Sequence, residues 1–586
     1  MSEEQPIGSI LLADCGTVAT KVVLIERVSG QYRFVAQSET PTTVEYPWSD
    51  AAEGVRHAID QVGAVTGRRF LDAGGDVILP EQAGRQGVDV FAATASASQP
   101  LEVVLGGLVR DLSVASAERA AAGTYSLVKA ILSSDSQTGG MREEEQVRII
   151  RETAPDVICI AGGTDGGATL PVLELVKGVA LACSMMDPVM RPRLLYAGNA
   201  QLRKRVVNFV EGQTELRVAD NVRPTLTHEN LISAQTELDA FYVQNKMGLL
   251  PGIESLGSWS SVPLTPTATA FNRLVQYLWH LGDPVKGVIG VDVGAANTTI
   301  SAVFDGWPYL TINGGMGTAF GGRQLVTKKG TGVITRWLPE PMDDETVMGM
   351  LLNKEMHPVS MYQLPRQLRV GQALAREVIR AALALARPGW EPGAAQPYPH
   401  LLPLCDTILV SGGVLRHTPR PGQIALMILD ALEPIGVTTM VLDLYGMAPA
   451  LGCVAAVNPL AAVEALDSGA LVNLATVVTP IGRARRGDLI LRVKVAYDDG
   501  SNFDVEVHYG DLEVLPLLPD QEAVLELRPL RRFDVGLGGP GKAGKRRISG
   551  GLAGLIIDAR GRPLRFLRDP EQRQNQMRQW LWDVGG

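Results

Sequence analysis

The feature that most constrains this chain is a pattern written twice. The apolar run Ser9–Ala13 meets an acid at Asp14, continues through Gly16, Thr17 and Thr20 to Lys21, and gives way to a second apolar run, Val22–Glu26. Roughly half the chain later, Gly287–Phe304 (GVIGVDVGAANTTISAVF) repeats the order with Asp292, Gly294, Asn297 and Thr298. Each copy reads as two strands joined by a tight hairpin whose turn presents backbone N–H groups and hydroxyls. Phosphate oxygens are acceptors and need such donors, and a carboxylate at a strand end holds Mg²⁺ through water, because that ion sheds its water reluctantly. One such hairpin is also what an ordinary polar turn looks like. Two, each opening a long run of alternating strands and helices, imply a duplication with a nucleotide gripped between similar lobes. On that reading Asp14 and Asp292 serve Mg²⁺. Gly16, Thr17, Thr20, Lys21, Gly294, Asn297 and Thr298 then contact the phosphates of ATP.

Two further segments carry chemistry. Thr407–Leu415 (TILVSGGVL) delivers Ser411, Gly412 and Gly413 from an apolar strand into a turn, and two adjacent glycines let the backbone approach a flat ring or a phosphate. A plain strand-to-helix turn has the same appearance. Ala161–Gly167 (AGGTDGG) sets Asp165 among glycines at another strand end. There it is read as a catalytic general base, as a group holding a Mg²⁺-bound water, or as the cap of the apolar helix that follows. Asn313–Gly322 (NGGMGTAFGG) reads either as a loop closing over the nucleotide or as a connection.

Strands are expected at Ser9–Ala13, Val22–Glu26, Val88–Ala92, Val157–Ala161, Arg193–Ala197, Gly287–Val293, Thr299–Phe304 and Thr407–Val410. Helices are expected at Ala51–Val65, Leu127–Leu132, Arg142–Glu152, Ala270–His280, Gly371–Ala386 and Ile424–Leu432. A Pro- and Gly-rich connector, Arg387–His400, precedes the Thr407 strand. After about residue 470 the pattern changes to short alternating strands, Leu489–Tyr497, Phe503–Tyr509 and Ala523–Leu527, the first two joined at Asp499-Gly500. The expected organisation is therefore a first lobe with insertions over 1–285, a second lobe over 286–468, and a C-terminal β domain with a helical tail over 469–586. The Gly- and Lys-rich segment Gly536–Gly551, with Lys542, Lys545, Arg546 and Arg547, reads as a solvated loop; binding of a phosphate or an acidic partner is its functional alternative.

Composition narrows the classes. A chain of 586 residues is too long for a single core. Its 46% hydrophobic and 20% charged content is that of a globular protein. A net charge of -9 gives no footprint for nucleic acid. The five cysteines show no paired spacing and the seven histidines no ligand motif, which argues against a disulfide framework or a zinc site. Acids at Glu3 and Glu4 precede the first strand where a signal peptide would be basic, and no apolar run reaches transmembrane length. A cytoplasmic protein without a membrane is expected.

The strings DCGT, DVGAANT and SGG, in this order, resemble the phosphate 1, phosphate 2 and adenosine motifs of the actin, sugar kinase and Hsp70 superfamily. The resemblance implies an α/β class of duplicated, two-lobed actin-like ATPase (ribonuclease H-like) fold with an additional C-terminal β domain. The longer strings ADCGTVATKVVLIE, ICIAGGTDGG, VDVGAANTT, LVSGGVLRHTP and LDLYGMAPALG resemble, over roughly residues 10–460, the glutamate mutase accessory protein family called MutL or GlmL. That family is unrelated to the mismatch-repair protein of the same name. The resemblance implies an ATP-dependent accessory or reactivating protein for an adenosylcobalamin-dependent mutase; a small-molecule kinase or a nucleotide-dependent scaffold are the alternatives. In that family's second motif, Ala295 stands in place of a glycine, Asn297 of a threonine and Thr299 of a closing acid, which implies slow turnover stimulated by a partner.

Overall fold

The structure is a computed structural model that describes residues 7–134, 141–391 and 396–585. The acids at Glu3 and Glu4 and the centre of the Arg387–His400 connector lie outside these residues. The chain folds as two compact units, one of residues 1–96, 254–309 and 315–586, the other of residues 97–253 and 310–314.

The larger unit contains the duplication. Its first sheet has the spatial order Thr265–Pro266, Val90–Ala95, Ser9–Cys15, Ala19–Val28, Gln31–Pro41. The three consecutive strands from Ser9 to Pro41 form an antiparallel meander, and the next two strands run parallel to the first. The second sheet begins in the same order with the same polarity: Trp307–Asn313, Thr298–Phe304, Gly287–Val293, Cys405–Ser411, Gly436–Leu442. Two sheets of one topology in one chain are the duplicated, two-lobed ribonuclease H-like arrangement. The sequence dictates which strands are central. All seven residues of Ser9–Cys15 are buried, as expected of a strand covered on both faces. Gln31–Pro41 alternates buried and exposed residues, as an edge strand does.

The strands after residue 470 form the additional C-terminal β structure that was expected, and three of them also extend the second sheet. Val472–Thr479, Leu555–Asp558 and Leu512–Leu515 extend the second sheet, while Leu489–Tyr497, Asn502–His508, Glu522–Pro529 and Gly544–Ser549 form a four-stranded antiparallel sheet. Part of the supposed Gly- and Lys-rich loop is thus a strand. Its alternating Lys545 and Arg547 pair with Glu526, Glu522 and Asp498 across the sheet. The added strands are fastened by buried charge. Asp558 accepts from Arg560 and Arg562, Asp430 accepts from Arg376 and Arg560, and the Arg560 guanidinium lies 4.4 Å from the ring of Trp580 in the helical tail Pro570–Asp583.

The smaller unit is a parallel sheet in the order Ser126–Ser133, Leu101–Gly107, Val157–Ile160, Arg193–Tyr196, Leu216–Val218. By chain position this is 2-1-3-4-5, a doubly wound sheet, so the insertion expected in the first lobe is a folded unit of its own. Leu127–Leu132 belongs to its edge strand and is not the expected helix. A short run of five apolar residues around Lys129 is compatible with either state, and parallel pairing to Leu101–Gly107 decides it.

Candidate functional site

The two hairpins of the larger unit superimpose residue by residue in their bonding. Asp14 pairs with Lys21 across the first, and Asp292 with Thr299 across the second. In each turn the glycine N–H donates to the carbonyl three residues on, Gly16 to Ala19 at 3.0 Å and Gly294 to Asn297 at 2.9 Å. A Cβ on either glycine would stand 2.8 or 2.9 Å from that same carbonyl oxygen, so both positions require glycine for the same reason. Among the described residues, the backbone N–H groups of Thr17, Val18, Ala295 and Ala296 have no acceptor. Open amides at a strand end are donors of the kind an anion accepts from, and each turn carries two.

The two turns differ in what stands behind them. Thr318, Ala319 and Phe320 donate to the carbonyls of Gly294 and Ala295, and the Asn297 side chain accepts from Gly315. The segment Asn313–Gly322 therefore braces the second turn from behind. Thr17 is held by one long hydrogen bond to the Ser96 carbonyl, at 3.4 Å.

Neighbouring residues on a strand face opposite sides of a sheet, and this separates the expected site residues into two groups. Asp14, Lys21, Asp292 and Ser411 converge. Thr20 and Thr298 do not: Thr20 is buried against Gly54 of the helix Ala51–Thr66, and Thr298 donates to the Met316 carbonyl at 2.7 Å. The Thr298 hydroxyl is thus committed behind its turn, and the Thr20 hydroxyl is buried with no hydrogen-bond partner among the described residues.

The carboxylates have unlike surroundings. Asp14 accepts from the hydroxyls of Thr94 and Thr267, each at 2.8 Å, and its other oxygen lies 4.0 Å from Lys21. Asp292 is raised to about 6, by burial first and then by the nearby charges of Asp14 and Asp443, with Lys21 and Ser411 opposing. Asp443 was missed as a site residue, although it lies in the quoted string LDLYGMAPALG. It is fully buried, accepts from Ser411 at 2.9 Å, and takes the N–H groups of Met447 and Ala448 at the start of the helix Ala448–Val457. Gly446, two residues earlier than that helix, packs on the Lys21 side chain.

Gly412 and Gly413 have different jobs. Gly412 has φ 118°, and a Cβ there would stand 2.3 Å from the Val293 carbonyl, so this glycine lets the turn cross the end of the Asp292 strand. Gly413 faces open space and begins the short helix Gly413–Arg416. That helix ends in Arg416, which pairs with Glu39 on the first sheet's edge strand. The ion pair joins the two lobes; burial works against the charged Glu39, and Arg416 more than compensates, holding its carboxyl below the usual range.

Asp165 lies in the smaller unit. One of its oxygens accepts from the Ala200 N–H and the Asn221 side chain, each at 2.9 Å. It does not cap the helix Leu170–Ser184, whose cap position is Thr169. The AGGTDGG loop follows the third strand of the doubly wound sheet, beside the end of the first. Chain connections leave in opposite directions there, and such sheets open their binding crevice at that point.

A divalent cation fits the larger unit's site on one observation in particular. A carboxylate held up by burial and by two like charges is one that a cation would stabilise. Among the described residues no three acidic, histidine or cysteine side chains converge as a direct cage.

Comparison with known proteins places the chain. The protein MutL of Clostridium tetanomorphum is 24% identical over 446 residues, 71% of this chain and 88% of that protein. Among solved structures, a gluconate kinase from Lactobacillus acidophilus covers 80% of this chain and 92% of its own at 10% identity and a TM-score of 0.29. A glycerol dehydratase reactivase covers 72% and 94% at 11% identity and a TM-score of 0.28. Scores so low fix neither substrate nor reaction. The family model described as MutL protein matches residues 10–469, most of the chain and both hairpins, and the chain therefore belongs to the MutL protein family.

Proposed function

We propose that this protein binds ATP with Mg²⁺ between the Asp14 and Asp292 hairpins and acts in the cytoplasm as an accessory or reactivating protein for an adenosylcobalamin-dependent mutase. The observation that carries the nucleotide reading is the pair of matched turns, with four amides lacking acceptors and Asp14, Asp292 and Lys21 beside them. In this reading the amides of Thr17, Val18, Ala295 and Ala296 hold phosphate oxygens, and Lys21 offsets their charge. Asp14 and Asp292 hold the waters of Mg²⁺. Gly413 lies under the adenosine, because its face is open, whereas Gly412 is needed for the backbone crossing. ATP, when bound, supplies a hydrolysable γ-phosphate.

The mutase partner is supported by membership of the MutL family and by the family resemblance of the five ordered motifs. Nucleotide occupancy shifts a two-lobed body between forms, and a partner that binds those forms unequally is remodelled or released. The Glu39–Arg416 pair is a natural fastening for the closed form. Turnover is slow without the partner. Ala295 is tied by its carbonyl to Ala319 and Phe320, so the second turn is rigid and carries a methyl beside the phosphate.

Calorimetry with ATP and Mg²⁺, on the wild type and on Asp14→Asn and Asp292→Asn, tests the nucleotide reading. Release of ADP with and without a cobalamin-dependent mutase tests the partner. Equal ADP release in both arms would remove the accessory role and leave the site standing.

A further inference from the structure

A second cleft lies at the other end of the strand that carries Asp292. It has a volume of about 530 Å³ and is lined by the start of that strand, by Leu404 before the neighbouring strand, and by the Gly536–Gly538 turn and Gly544–Arg546 edge of the four-stranded sheet. Lys286 immediately precedes the strand Gly287–Val293, so at about 3.3 Å per residue it stands about 20 Å from Asp292. The two sites are distinct.

Lys286 is the unusual residue. It is only 7% exposed, yet among the described residues no carboxylate lies within ion-pair distance, and its ammonium makes one long hydrogen bond, 3.5 Å, to the Val437 carbonyl. An ammonium has three donors, and a buried cation without a counter-charge is costly. Burial, and then the neighbouring Arg546, hold its pKa below the usual lysine range, with Asp406 and Asp283 opposing. The local acids are otherwise engaged: Asp406 accepts from Arg546 at 2.5 Å, and Asp283 from the Val285 N–H at 3.1 Å. Lys545, largely exposed, reaches Glu526 at 3.4 Å. Among the described residues, the N–H groups of Leu537 and Gly538 have no acceptor, and Gly538, at φ 109°, faces open space.

We infer that this cleft binds a phosphate group, with Lys286 as the buried counter-charge, Arg546 at the rim, and the Leu537 and Gly538 amides as further donors. Arg546 and Lys545 are each paired with an acid, so Lys286 is the charge left unanswered. Its three donors with the two open amides call for a ligand rich in acceptor oxygens, which a phosphate group supplies more fully than a carboxylate. The volume lies in the range of small-molecule sites, and Val285, Leu404 and Leu537 supply an apolar wall, so a phosphate monoester with an organic body fits as well as free phosphate. This site owes nothing to the nucleotide reading, since it shares no residue with it.

The test is differential acetylation of the full chain, with each lysine read by mass spectrometry, in chloride, inorganic phosphate or phenyl phosphate at matched ionic strength. Lys286 should be acetylated in chloride and protected about tenfold by phosphate. Stronger protection by phenyl phosphate assigns an organic monoester, and equal protection assigns free phosphate. Lys21, read in the same digest, reports any phosphate at the hairpins separately. Calorimetry with the same two probes should show about tenfold weaker binding in Lys286→Met. If that variant does not fold, Arg546→Gln, which frees the Asp406 carboxylate beside Lys286, should weaken binding several-fold. Acetylation of Lys286 that neither anion slows, or protection confined to Lys21, would overturn the assignment.

Discussion

The two halves of the larger unit share a topology and a turn geometry but differ in the chemistry around their acids. In the first half the residue that immediately follows the fifth strand is a hydroxyl, Thr267, and it joins Thr94 in donating to Asp14. In the second half that place belongs to a carboxylate, Asp443, which accepts a hydrogen bond from the Ser411 hydroxyl and repels Asp292. Lys21 on the first hairpin faces both acids, while its counterpart on the second is the neutral Thr299. A duplicated scaffold has thus been divided into one settled carboxylate and one strained one. An acid held up by burial and like charge is one that a cation would stabilise, the open amides beside it suit an anion, and the settled acid keeps its half in place.

The largest expected effect concerns the strands that only the second half carries. Asp558 is fully buried between Arg560 and Arg562, which hold its carboxyl far below the usual range. Asp558→Ala leaves both arginines buried with fewer partners and should cost about 3–5 kcal/mol in denaturant unfolding. A loss under about 1 kcal/mol would mean that packing alone holds these strands.

The acids themselves should respond with opposite signs. An unfolded aspartate ionises near 3.8 and Asp292 near 6, so between these values the folded state binds more protons and stability falls as pH rises. Asp292→Asn removes that cost and should stabilise the ligand-free protein at pH 7 by about 1–2 kcal/mol. Asp14→Ala strands two buried hydroxyls and should destabilise by about the same amount. Changes of equal sign, followed by thermal and urea unfolding, would break the comparison.

Two smaller effects sharpen it. Asp443→Asn keeps an acceptor for the helix N–H groups but removes a negative charge, so the Asp292 titration should move down in pH; Lys21→Met should move it up. Carboxyl resonances followed by NMR would report both. At the glycines, Gly413→Val should lower ATP affinity about tenfold with unchanged unfolding, whereas Gly412→Val, which drives a side chain into Val293, should destabilise the fold. Normal ATP binding by Gly413→Val would make the motif structural.

Much of this was legible in the sequence because the hairpins are local. Strand, acid, glycine and second strand lie within about twenty residues, and the register that pairs Asp14 with Lys21 follows from the turn alone. What the sequence hid is set by long-range placement. Thr20 and Thr298 looked like phosphate ligands, and only the alternation of faces in a paired sheet turns them inward. Asp443 joins Asp292 through a strand pairing separated by the whole second lobe. The doubly wound unit was hidden because Leu101–Gly107, its first strand, ends in two glycines and gives little strand signal, and Leu127–Leu132 matches either period.

The most direct test of the central claim is the affinity for ATP measured against Mg²⁺ concentration and pH in the wild type, Asp14→Asn and Asp292→Asn. Mg²⁺ favours the ionised form of Asp292, so Mg²⁺-dependent binding by the wild type should be full above pH 7 and weaken as pH falls through about 6. Both variants should lose the Mg²⁺ dependence, and Asp292→Asn should also lose the pH step near 6. ATP affinity that is independent of Mg²⁺, or unchanged in both variants, would contradict the account.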